Sequence, residues 1–197
     1  MTSIDVIPLS GSGVWPVQTA REACLTEPGL NLLESLAASL ARTFRAPCRL
    51  RPESLDVSGS WDSVRGQYYS TAILRLMERA WGLPSAPGAR VLGVTVGDLY
   101  VPVLTFVFGE AQVDGNCATV STARLREEFY GLPADEALLR ERLLKESVHE
   151  LGHTFGLRHC TDWRCVMSSS YGVERLDIKG AQFCRACGRV VFDRQYW

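Results

Sequence analysis

A chain of 197 residues, 46% hydrophobic and 22% charged, carries enough apolar material for one globular core without disulfides throughout. Its formal net charge of -1 excludes a large cationic footprint for nucleic acid. No apolar stretch approaches the ~20 residues a membrane helix requires, and Asp5 stands where a secretory signal would carry basic residues, so the expected location is cytoplasmic.

Residues 1–20, rich in Ser, Gly and Pro, read as an irregular or weakly paired lead-in. Leu30 to Phe44 places Leu32, Leu33, Leu36 and Leu40 at helical spacing, and Pro47 ends that helix. Cys48 to Leu55 alternates apolar and charged side chains and reads as a strand. Arg42, Arg45, Arg49 and Arg51 around this junction form a solvated helix-to-strand face. A second helix is expected from about Tyr69 to Trp81, closed by Gly82 and Pro84.

Three strands follow. Arg90 to Val96 is a β-branched run, Leu104 to Gln112 a second and Cys117 to Thr122 a third. The turn residues Asp114-Gly115-Asn116 join the last two as a hairpin, which places one antiparallel strand near the edge of a mixed sheet. The longest helical pattern runs from Pro133 to about Gly156, with Asp135 and Glu136 in its first turn and a stripe of Leu144, Val148, Leu151 and Phe155. Beyond Gly156 lies a compact tail of 41 residues, too poor in apolar side chains to fold alone.

Within that last helix and its exit, residues 149–159 read His-Glu-Leu-Gly-His-Thr-Phe-Gly-Leu-Arg-His. Histidines four residues apart lie about 40° apart around a helix and one turn along it, so His149 and His153 reach one metal ion from one face. Glu150 is rotated about 100° from His149 and reaches the water of such a metal without ligating it. Gly156 permits a left-handed turn that brings His159 back as third ligand. Three neutral imidazoles leave the fourth tetrahedral position of zinc open to water, which is the catalytic arrangement. A bare His-Glu-x-x-His arises by accident, but all 3 histidines of the chain fall inside this longer pattern.

A second constellation is Cys160, Cys165, Cys184 and Cys187, of 7 cysteines in all. Four thiolates form a closed tetrahedral set for a structural zinc, the staple a core-poor tail needs. A redox pair at Cys184 and Cys187, or two disulfides, are the alternatives, and a reducing compartment disfavours the second. Cys24, Cys48 and Cys117 read as buried thiols. With His159 and Cys160 adjacent, one peptide unit would join the two metal sites.

The run from His149 through His159-Cys160, Cys165, Val166-Met167, Cys184 and Cys187 closely resembles the archaemetzincins, metzincins with an additional four-cysteine zinc site. Arg65-Gly66-Gln67-Tyr68, Gly93-Val94-Thr95, Asp98-Leu99-Tyr100 and Phe106-Val107-Phe108-Gly109-Glu110-Ala111 extend the resemblance over roughly residues 60–190. The stretch between Met167 and Cys184 is one residue shorter than usual in that family, which a surface loop absorbs.

The resemblance implies an α/β (α+β) fold: a metzincin-like twisted mixed sheet with one antiparallel edge strand, helices packed on it, an active-site helix and a small zinc-stapled C-terminal subdomain. A single catalytic domain, 1–197, would divide into 1–156 with the sheet and active-site helix, and 157–197 with the third histidine, the Met-turn and the four cysteines. Met167 would be the Met-turn residue beneath the histidines. Thr105 to Glu110 would be the edge that pairs with an extended peptide, with Thr105, Phe106, Phe108, Glu110 and Tyr171 as substrate-binding residues. Glu110 is also a loose candidate for holding the free amine of an aminopeptidase substrate.

Two Zn2+ per chain and a peptide or protein substrate follow, with hydrolysis by a zinc-activated water and Glu150 as general base. The expected chain is a monomer without nucleic-acid or membrane partners. The competing readings are a zinc-stabilised peptide- or protein-binding module with little peptidase activity, and a four-cysteine interaction module. A carboxylate at position 150 counts against the first, and near-neutral charge against the second.

Overall fold

The computed structural model describes residues 2–11, 27–81 and 88–193, with backbone alone for 27–30 and 81. Its first strand, β1 (Ser3–Ser10), replaces the irregular lead-in expected at the N-terminus. Ile4, Val6, Ile7 and Leu9 are all buried, because this short apolar run lies inside the sheet with both faces covered. Pro8 is accommodated by a break in its neighbours. β1 pairs in parallel with β2 (Cys48–Leu50) from Ile4 to Val6, and with β3 (Leu55–Asp56) at Leu9 and Ser10. The Val6 and Ser10 carbonyls bond toward that side. Pro8, of the same parity, faces the gap between β2 and β3, where no ladder donor is needed. The single strand expected from Cys48 to Leu55 is thus two short ones, divided at Pro52.

Helix α1 (Glu27–Phe44) buries Leu32, Leu33, Leu36 and Leu40 as its spacing predicts. It ends at Arg45, which takes a left-handed φ of 52°, while Ala46 N–H bonds back to Ala41 O at 3.3 Å and Pro47 forbids continuation. A small sheet of β4 (Trp61–Asp62), β5 (Gln67–Tyr69) and β7 (Leu99–Tyr100) precedes and flanks α2 (Ser70–Trp81). Gly82 and Pro84, expected to close α2, and Cys24 lie outside the described residues. The main sheet runs β2-β1-β6-β9-β8, with β6 (Ala89–Thr95) and β9 (Cys117–Ser121) parallel and β8 (Gly109–Ala111) antiparallel at one edge.

Of the strand expected from Leu104 to Gln112, three residues pair as one. Val101 to Leu104 forms a turn, Leu104 N–H bonding Val101 O at 3.0 Å, and Val103 is 88% exposed. Val107 makes one isolated antiparallel bridge to Leu99. The turn ending at Leu104 takes the start of the expected run, and only Gly109–Ala111 pairs as a strand.

Helices cover both faces of the sheet. On one face Ile4, Val6, Leu92, Val94 and Val120 share a core with α1 and with α3 (Glu136–Thr154). On the other, Ile7, Leu9, Val91 and Cys117 pack on Ile73, Leu74 and Met77 of α2. The first core runs on past Gly156 through Val166, Met167 and the short helices α4 (Val173–Ile178) and α5 (Arg185–Asp193), by way of Leu176 and Val191. The tail therefore completes the core beneath α3. The arginine cluster forms the expected solvated face, with Arg42, Arg45 and Arg49 exposed; Arg51 pairs with Asp5 at 2.8 Å, and Arg45 lies over the Phe192 ring. Among the described residues, no helix is long and apolar enough to cross a membrane.

Candidate metal centre and cleft

Helix α3 starts at Asp135, whose carboxylate accepts from Leu138 N–H at 2.9 Å, so Pro133 lies just outside it. Its end is a Schellman motif. Gly156 has φ 81°, its N–H bonds His153 O at 2.8 Å, and Leu157 N–H bonds Gly152 O at 3.2 Å. This turn reverses the chain so that His159 returns to the helix face carrying His149 and His153. One ring nitrogen from each of the three lies within 4.8 Å of the others.

Backbone carbonyls fix the tautomers. His149 Nδ1–H donates to Val166 O at 2.8 Å, and His153 Nδ1–H donates to Leu157 O at 2.8 Å. Both Nε2 atoms are then unprotonated, and they face each other at 3.2 Å. Two lone pairs at that distance repel unless a cation lies between them. Ligands at zinc–nitrogen bonds of about 2.05 Å in a tetrahedron stand about 3.3 Å apart, so the donor set fits the metal. Burial holds the His149 and His153 imidazoles below their usual range, chiefly by desolvation and then by the nearby Lys179 or His159 charge. That favours the neutral, ligating form.

Met167 is fully buried, and its sulfur packs against Gly152 of α3 so closely that no side chain would fit there. Cys160 N–H bonds Met167 O at 2.9 Å, tying the residue after His159 to Met167. The sulfurs of Cys160, Cys165, Cys184 and Cys187 form a second cluster within 4.8 Å, Cys160 and Cys184 being 3.9 Å apart, and all four thiols are free of disulfides. Tetrahedral zinc–sulfur bonds of about 2.3 Å place sulfurs about 3.8 Å apart, so this set also fits zinc. Helix α5 begins between Cys184 and Cys187, and its first-turn N–H groups pull the Cys184 thiol down to about 7.

The Glu150 carboxyl is buried in the cleft wall. Desolvation raises it well above the usual carboxylate range, and Glu146 and Glu110 add to the shift while Lys179 opposes it. A cavity of about 510 Å³ opens beside it, bounded by Glu146, His149, Glu150 and His159 below and by Thr105, Phe106, Phe108 and Gly109 above. Tyr171, 79% exposed, stands at its mouth. Thr105, Phe106, Phe108 and Tyr171 thus meet at the cleft. Glu110 does not line it: its carboxylate is held by the hydroxyls of Ser70 and Thr71 at the start of α2, the Thr71 bond being 2.8 Å.

Gly109, within the expected pairing edge, lies against Glu150. Two residues at and behind the cleft escaped the sequence reading of the site. Glu146 and Lys179 form a buried ion pair of 3.1 Å, and Lys179 also donates to Ser168 O at 3.1 Å, joining α3 to the segment after Met167. Glu146 had a usable signal, since it precedes His149 by three residues and Glu150 by four on one helix face.

The model of peptidase family M54 matches residues 60–192. The archaemetzincin of Methanocaldococcus jannaschii is 43% identical over 147 residues, covering 75% of this chain and 78% of its own. That of Haloquadratum walsbyi is 32% identical over 96% of this chain and 99% of its own. Among solved structures, the archaemetzincin of Archaeoglobus fulgidus complexed with malonate matches with a TM-score of 0.73 at 36% identity, covering 96% of this chain and 99% of that one. The archaemetzincin of Methanopyrus kandleri matches with a TM-score of 0.72 at 31% identity, covering 100% and 96%. By these matches and by the pairing of a three-histidine cluster with a four-cysteine cluster, the chain belongs to peptidase family M54, the archaemetzincins.

Proposed function

We propose that the chain is a zinc endopeptidase, with His149, His153 and His159 holding the catalytic zinc and Glu150 as general base. One observation carries the reading: the two unprotonated Nε2 atoms facing each other at 3.2 Å, each ring locked by a backbone carbonyl, one residue from a buried carboxylate. When bound, zinc supplies the Lewis acidity that activates water and polarises the scissile carbonyl. Glu150 takes the proton of the attacking water and delivers it to the leaving amine. The four cysteines hold a second, structural zinc, making two per chain.

The edge strand β8 supports binding of an extended substrate. Phe108, Glu110 and Gln112 use their backbone groups on β9. Gly109 and Ala111 alternate with them and turn theirs outward, where a peptide strand can pair. Thr105 O is taken by Gln67 Nε2 at 3.0 Å, so Thr105 to Phe108 serves as wall rather than as pairing edge.

Endopeptidase is favoured over aminopeptidase by charge. Glu110 is engaged at α2, and the hollow of about 430 Å³ on the other side of the histidines is lined by Val113, His153, Arg158 and His159, with a cation and no carboxylate to catch an α-ammonium group. The test is digestion of a mixed peptide library by the zinc-loaded protein beside Glu150→Ala, read by mass spectrometry, with zinc counted by native mass spectrometry. Internal cleavage that vanishes in the variant is expected. Two zinc ions with no cleavage by either protein would overturn the reading in favour of a binding module.

A further inference from the structure

The cavity beside Glu150 is apolar on its walls and polar at its base. Leu104, Phe106 and Phe108 form the walls. At the base lies Glu146, a residue only 4% exposed. Lys179, its side chain 1% exposed, binds Glu146 Oε1 from behind at 3.1 Å. Oε2 makes no hydrogen bond among the described residues, and Glu146 is one of the residues that line the cavity. A carboxylate oxygen left without a protein partner at the end of an apolar channel is a receptor for a side chain with an apolar stem and a donor-rich, positively charged head.

We propose that Glu146 selects lysine or arginine as the substrate residue immediately C-terminal to the scissile bond. The placement rests on the endopeptidase reading and on strand direction. A peptide antiparallel to β8 runs opposite to Gly109→Ala111, so its C-terminal part leaves the zinc site toward Leu104 and this cavity, and its N-terminal part lies toward Val113. The stem of a basic side chain packs on Leu104 and Phe108. Lys179, Arg124 stacked on the Phe106 ring and the catalytic metal are cations in the same region, and Glu150 and Glu110 are acids. The preference therefore comes from direct contact with Oε2 rather than from the net field.

The experiment walks a single arginine along an otherwise neutral peptide, each version paired with its uncharged isostere citrulline. Binding to zinc-loaded Glu150→Ala is measured by fluorescence anisotropy. One position is expected at which arginine binds about tenfold or more tightly than citrulline, the size of a charged hydrogen bond, and Glu146→Gln in the same background should level the two. The wild-type protein should cut the bond just before that arginine. Equal binding of every pair overturns the proposal, and needs no Glu146 variant to fold. Discrimination without wild-type cleavage would instead remove the peptidase reading and leave the receptor standing.

Discussion

Gly109 and Glu150 are in van der Waals contact across the cleft: a Cβ on Gly109 would stand 2.6 Å from Glu150 Cγ and 2.6 Å from Thr119 O. The carbonyl belongs to β9, which is paired on both sides, so the edge strand and the Glu150 side chain must give way together. Gly109→Ala is therefore expected to push Glu150 off its position while leaving the three histidines in place. Overpacking of this kind costs about 1–3 kcal/mol of stability, and displacement of a catalytic group by about 1 Å costs on the order of 100-fold in kcat. Steady-state kinetics, with zinc content measured on the same samples, checks this. An unchanged kcat would mean that Glu150 is not positioned by the edge strand.

Lys179 ties Glu146 on α3 to the carbonyl of Ser168, and both members of the pair are buried. Lys179→Met removes the cation and leaves a buried carboxylate uncompensated, at a cost of about 3–5 kcal/mol. The double variant Glu146→Gln with Lys179→Met should recover much of that loss, because no uncompensated charge remains. Urea unfolding of the two single variants and the double variant measures the coupling. A loss from Lys179→Met alone that the double variant does not recover would assign Lys179 to the Ser168 contact instead.

The parts of the site legible in the sequence are those built by local periodicity. His149, Glu150 and His153 take their geometry from one helix, and Gly156 and His159 from the turn that ends it. No comparable pattern announces Lys179, 33 residues from its partner Glu146. Lysine in a polar tail reads as a surface residue until the fold buries it. The strands show the same division. β6 and β9 are continuous β-branched runs and are read correctly. β1 is hidden by Pro8, whose tolerance depends on the gap between β2 and β3, and Leu104 to Phe108 has strand composition but is claimed by a turn and by Gln67. The antiparallel edge was legible in the hairpin turn at Asp114 to Asn116, whereas the fold class came from the family resemblance.

Stability and metal binding should fall together in mild acid. The His149 and His153 imidazoles are held below their ordinary value of 6.5 in the folded chain. Below 6.5 the unfolded chain therefore binds more protons than the folded one, so their contribution is present above 6.5 and is lost as pH falls through the folded values. Glu150 has the opposite sign: its raised carboxyl contributes stability below 4.5 that is lost as pH rises through its folded value. The metal-free protein should accordingly lose urea resistance between pH 6.5 and 5, and metal-free Glu150→Gln should be more stable than wild type at pH 8. Zinc affinity should drop over the same acid range because protons compete for the ligand nitrogens. A urea midpoint that is flat or rising from pH 6.5 down to 5 would contradict the assignment.

The four-cysteine cluster should act on the three-histidine site through the chain itself. His159 and Cys160 are joined by one peptide unit, and Cys160 N–H holds Met167 O at 2.9 Å. In the metal-free protein the Cys184 thiol, at about 7, is largely ionised near pH 8, whereas burial pushes Cys48 up to about 12 and Cys117 up to about 11. Iodoacetamide should thus alkylate Cys184 well before Cys48 or Cys117, and zinc should protect it. Blocking Cys184, or replacing it by serine, opens the cluster and frees the backbone on which His159 rides. Loss of such outer support weakens a metal site by roughly 10–100-fold. Cobalt substituted at the three-histidine site reports this directly: its visible spectrum should change, and its affinity fall, in Cys184→Ser. An unaltered cobalt spectrum and affinity would show that the turn at Gly156 alone suffices to hold the third ligand.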